Sequence, residues 1–83
     1  MPAAMNSIIV KAEWDADAAV WVAVSDDVPG LVAESPSLEK LRPKVLAMIS
    51  DLIELNKMSV QLTEIPVHIV AHSLDRMTVP SAA

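Results

Sequence analysis

The residues best placed to do chemistry in this 83-residue sequence are the adjacent carboxylates Asp26 and Asp27, in the stretch SDDVPGLVAESPSLEKL, residues 25–41. Neighbours on an extended chain point to opposite sides, so the two cannot act on one ion together. Either could ligate a divalent cation, but a two-metal centre needs further carboxylates from other strands. Glu13, Asp15, Asp17 and Glu34 are the available donors, and most of them fall at predicted turns or on a wet face. Asp26 and Asp27 therefore read as solvated residues beside a turn, and no catalytic residue is assigned. His68 and His72 are four apart. On a strand rising about 3.3 Å per residue they stand ~13 Å apart, too far to share one ion, so no metal site is expected. The serines lack a nucleophile-elbow context, and a single glycine rules out a glycine-rich phosphate loop. Met48 and Met58 read as core filler. The expectation is a protein without cofactor that is not an enzyme.

The elements that carry these residues are legible from hydrophobic spacing. In SIIVKAEW, residues 7–14, Ile8, Val10, Ala12 and Trp14 fall on one face and Ile9, Lys11 and Glu13 on the other. This is a period-2 strand with Ile9 as an apolar exception on the wetter side. DADAA supplies a turn, and VWVAVS, residues 20–25, returns as a second strand, with Trp14 and Trp21 near the closed end of the hairpin. Val28-Pro29-Gly30-Leu31 fits a type II turn, in which proline presets one φ and glycine supplies the positive one. LVAES, residues 31–35, is a short third strand.

Ser37 is a good N-cap, and Glu39 suits the positive end of the helix that follows, expected over about 38–57. Leu38, Leu41, Val45, Met48, Ile49, Leu52 and Leu55 form its apolar stripe, which Leu46 and Ile53 widen. Pro43 predicts a kink or a detached first turn. IPVHIVAH, residues 65–72, is a last strand, and Pro66 favours an edge position for it. The fold class is α+β, in the order β-β-β-α-β. An antiparallel sheet of three to four strands carries one helix on one face. Residues 1–6 read as a flexible leader, 7–72 as a single domain and 73–83 as a tail.

Composition narrows the partners. The chain is 53% hydrophobic, with Trp14 and Trp21 its only aromatics, and so small a body suggests burial between subunits as well as within one. A homodimer or higher homo-oligomer is expected, with Leu46, Ile49 and Ile53 at the interface. Six basic residues against eleven acidic ones leave a net charge of -5, which disfavours direct nucleic-acid binding and favours a basic protein partner. Cysteine is absent, in keeping with a reducing cytosol, and no apolar run is long enough for a membrane span. A cytoplasmic protein away from the membrane is expected.

Taken together, WDADAAVWVAVSDDVPGLVAESPSLEKLRPKV resembles the HicB family of antitoxins, most of all its short branch without further domains. Trp21 to Val24, Asp27, Pro29-Gly30, Glu34 and Ser37-Leu38-Glu39 hold the positions of that signature, and the resemblance covers about residues 7–72. It implies a partial ribonuclease H-like β-β-β-α-β fold and oligomerisation. It also implies a small basic RNA-cleaving toxin of the HicA type as partner, masked by this domain. After Ala71 too few residues remain for the DNA-binding segment of longer members. The leading expectation is a non-enzymatic protein-interaction domain. Trp14, Trp21, Asp26, Asp27 and Glu34 form its partner-facing or turn-defining set, with Pro29, Gly30 and Ser37 as turn and cap. The alternatives are a divalent-metal nuclease with residual ribonuclease H-like chemistry and a purely structural oligomerisation domain.

Overall fold

The structure, a computed structural model, describes residues 6–58 and 64–81; most of the expected leader lies outside the described residues. Four strands and one helix follow in the order β1 (Ile8–Asp15), β2 (Val20–Val24), β3 (Val32–Ser35), α1 (Leu38–Leu55) and β4 (Val67–His72). The fold is the expected α+β arrangement, β-β-β-α-β. The strands form one sheet in the order β3-β2-β1-β4. β1–β2 and β2–β3 are antiparallel, but β4 lies parallel to β1, with Ile8 opposite Val67 and Glu13 opposite His72. The sheet is therefore mixed rather than antiparallel throughout. The reason is the helix. β3 runs parallel to β1, and α1 carries the chain back along the sheet, so the strand that follows it must repeat the direction of β3. β4 occupies a sheet edge, as Pro66 requires. The Pro66 carbonyl starts the new pairing by accepting the Ile8 N–H at 2.9 Å.

Alternation in β1 decides which residues enter the core. Ile8, Val10 and Ala12 are fully buried, as are Ala23 and Ala33 opposite them on β2 and β3. Leu41, Val45 and Ile49 of α1 close over this face, at the spacing of one helical stripe. Val28 and Leu31, at the two ends of the Pro29-Gly30 turn, fill one end of the same core. The Leu31 N–H donates to the Val28 carbonyl at 3.2 Å and Gly30 has φ +89°, the conformation expected of the glycine in a type II turn. One side chain of the helix and one at its C-cap hold this region. The Asn56 amide donates to the Pro29 carbonyl at 3.1 Å, and the Lys44 ammonium donates to the Glu34 carbonyl on edge strand β3 at 2.8 Å. A lysine on an edge carbonyl also blunts that edge against pairing with another chain.

The helix begins where Ser37 caps it: the serine hydroxyl accepts the Lys40 N–H at 3.2 Å. It runs without interruption through Pro43 to Leu55, so the first turn is not detached. Pro43 lies early in the helix, where the one donor it lacks would have served Glu39 on the exposed side of the first turn. At the other end the Met58 N–H reaches the Ile53 carbonyl at 3.0 Å and the Lys57 N–H reaches the Glu54 carbonyl at 3.2 Å. This pair of bonds is a Schellman stop, with Ile53 and Met58 both packed on the core beside it. Its left-handed residue is Lys57, φ +53°, where glycine is the usual occupant. Lys57→Gly therefore removes a side-chain clash worth roughly 1 kcal/mol and should raise the thermal midpoint by a few degrees. A lowered midpoint in a calorimetric melt would contradict this account of the helix end.

Candidate functional site

Asp27 has a structural task that its sequence neighbourhood did not disclose. β2 ends at Val24, while β1 continues to Ile8 and leaves the Ile9 backbone without a strand partner on that side. Two side chains replace the missing strand. The Ile9 N–H donates to Asp27 Oδ2 at 2.8 Å, and Ser25 Oγ donates to the Ile9 carbonyl at 2.6 Å. The Asp27 N–H donates in turn to Ser25 Oγ at 3.1 Å, locking the pair together. This clamp carries the chain from the end of β2 into the turn that buries Val28. Asp26 lies beside it, exposed. Among the described residues no group of three or more histidines, aspartates or glutamates gathers closely enough to hold a metal ion. Asp27→Ala removes a charge-assisted hydrogen bond and should lower stability by about 1–2 kcal/mol, with Asp27→Asn losing less. Denaturant melts check this, and an alanine variant as stable as the parent would show that the clamp is dispensable.

The opposite end of the hairpin carries the tryptophans. Trp14 and Trp21 face each other in register and meet edge to face, with ring centroids 5.6 Å apart and planes at 62°. Both project to the helix side of the sheet, beyond the end of the helix. They form the wall of an open groove of about 460 Å³ together with Pro36, Ser37, Leu38, Ser73 and Asp75. Trp14 remains 39% exposed. The adjoining turn is acidic. Asp15 Oδ1 accepts the N–H groups of Asp17 and Ala18 at 3.0 and 3.2 Å, and Asp17 stays exposed.

A second surface is the sheet face turned away from the helix. Ile9, Val24, Val32 and Val70 lie on it, from 45% to 62% exposed, and the half-buried Val22 sits among them. Lys11, Glu13, Val22 and Val24 line a depression of about 230 Å³ on this face. Glu34, His68 and His72 share the face as exposed side chains, the two histidines on alternate positions of edge strand β4.

The five residues expected to face a partner thus do not form one patch. Trp14 and Trp21 line the groove. Asp26 and Asp27 sit beyond the other end of β2, ~16 Å along the strand from Trp21. Glu34 lies on the open face opposite Val22. Of the residues expected at an oligomer interface, Leu46 is 48% exposed, Ile53 is half-buried, and Ile49, at 4%, belongs to the core of its own chain. The groove residues Pro36, Leu38, Ser73 and Asp75 had no signal in the sequence, because a loop, a helix start and a tail meet there only through the fold. The open face did have one: in VWVAV every residue is apolar, the pattern of a strand covered on both sides.

These features define a small β-β-β-α-β domain with one sheet face packed by its helix and the other uncovered. The chain belongs to the family described as "Domain of unknown function (DUF1902)", whose model matches residues 7–81. It is similar to a hypothetical protein of known crystal structure from the extremely thermophilic bacterium Thermus thermophilus. The two are 40% identical, with 88% of this chain and 99% of that one covered and a TM-score of 0.63. No curated protein matches the chain.

Proposed function

We propose that this chain is a non-enzymatic protein-interaction domain of the HicB antitoxin type, and that the tryptophan groove receives a small basic RNA-cleaving partner. The groove carries the reading. The only two aromatic side chains of the protein are paired edge to face at the groove, Trp14 partly exposed and Trp21 half-buried against the margin of the core. Tryptophan is enriched among the residues that dominate binding energy at interfaces, because its large rigid ring buries much area at little entropic cost. Asp75 lines the groove, Asp15 and Asp17 lie in the adjoining turn, and the net charge is -5. That field attracts a positively charged protein and speeds its approach. The resemblance of residues 7–72 to HicB antitoxins supports the same reading independently of the charge. The nuclease alternative, by contrast, finds no converging carboxylates among the described residues.

Titration calorimetry against the product of an adjacent gene that encodes a small basic RNA-cleaving protein tests this. The proposal predicts tight association that weakens as salt rises and suppression of RNA cleavage in the complex. Trp14→Ala, at a partly exposed position, should lower affinity by about 2 kcal/mol, roughly 30-fold, while the fold is retained. No such gene product, or one that neither binds nor loses RNA cleavage, would overturn the reading.

A further inference from the structure

Every residue from Ala71 to Ser81 is exposed, and residues 73–81 join no strand or helix. Within this segment Leu74, Met77 and Val79 are 73%, 81% and 76% exposed, among the described residues the most exposed large apolar side chains apart from Leu55. The segment SLDRMTVPS contains no glycine or asparagine to turn the chain back, and Thr78, Val79 and Pro80 all favour extended backbone. The segment does not bury these apolar side chains on its own domain. A second chain can.

The open sheet face supplies the matching surface. On an extended backbone Asp75, Met77 and Val79 fall on one side. The face offers a depression of about 230 Å³ lined by Lys11, Glu13, Val22 and Val24, with room for a methionine side chain, and the exposed Val32. We propose that residues 75–79 of one copy lie across the open sheet face of a second copy, and reciprocally. Met77 enters the depression, Val79 lies on the neighbouring valines and Asp75 approaches Lys11. Reciprocity makes the contact closed and two-fold, so every contribution counts twice. An interface of ~1,000 Å² then needs only ~250 Å² from each segment and the same from each face. This deepens the interaction-domain reading by naming the occupant of one face; Asp75, which also lines the tryptophan groove, is the one residue that the two contacts share, and Trp14 and Trp21 stay open to a different protein.

The natural chain has no cysteine, which allows a clean cross-linking test. Val24→Cys and Met77→Cys are made as separate variants, then oxidised alone and as a mixture. The mixture should form a disulfide-linked heterodimer at least about tenfold faster than either variant links to itself, and the parent should sediment as a dimer at about 100 μM, well above a micromolar Kd. Met77→Asp should weaken that dimer at least about tenfold, because a carboxylate would lose the apolar contact with Val22 and Val24 and be brought up against Glu13. Its circular dichroism should be unchanged, since Met77 touches little of its own domain. A monomeric parent, a Met77→Asp dimer as tight as the parent's, or no preference for the mixed disulfide would each overturn the proposal. All three outcomes leave toxin binding at the groove to its own calorimetric test.

Discussion

One amphipathic helix can cover only one face of a four-stranded sheet, and that constraint governs the rest of the molecule. α1 closes over Ile8, Val10, Ala12, Ala23 and Ala33 with Leu41, Val45 and Ile49, and the core is complete on that side. The small alanines at the centre of the sheet let the helix approach closely, while Ile and Val at the margins fill the layer. The opposite face is also apolar at Ile9, Val22, Val24, Val32 and Val70, and no second helix of the described chain lies over it. A sheet with one helical layer leaves the hydrocarbon of its second face exposed among Lys11, Glu13, Glu34, His68 and His72, and exposed hydrocarbon rimmed by polar residues marks a place where another surface binds.

Much of the fold is visible in local sequence because local rules decide it. The alternation in β1, the Pro29-Gly30 turn and the Ser37 cap each depend on a few neighbouring residues, and each element stands close to where its pattern puts it. The direction of β4 was less accessible, since it follows from which strand the helix leaves and which it rejoins, a relation between distant segments. Pro43 looked disruptive because interior proline costs a helix a donor; so near the start, the single lost bond falls on the solvent side and the helix continues.

The candidate sites divide in the same way. Trp14 and Trp21 could be paired from the hairpin alone, and they are. Asp27 could not be understood alone, because its partner is the backbone of Ile9, eighteen residues earlier, at a point where β2 has already ended. A serine and an aspartate two apart after a strand can stand in for backbone groups, but only the register shows which groups were missing. The apolar run in β2 was the clearest unread signal: a strand with no polar side chain is a strand expecting cover on both faces.

If the open face is a buried interface in the working molecule, its methyl groups are shielded from solvent although a single copy leaves them bare. Solvent relaxation enhancement by a soluble paramagnetic agent measures this directly on the methyls of Ile9, Val24, Val32 and Val70, with Ile8 and Val10 as internal references for the core. The account predicts that the open-face methyls of the assembled protein are protected nearly as well as Ile8 and Val10, and become accessible on dilution. Open-face methyls that relax as freely exposed groups at every concentration would contradict it.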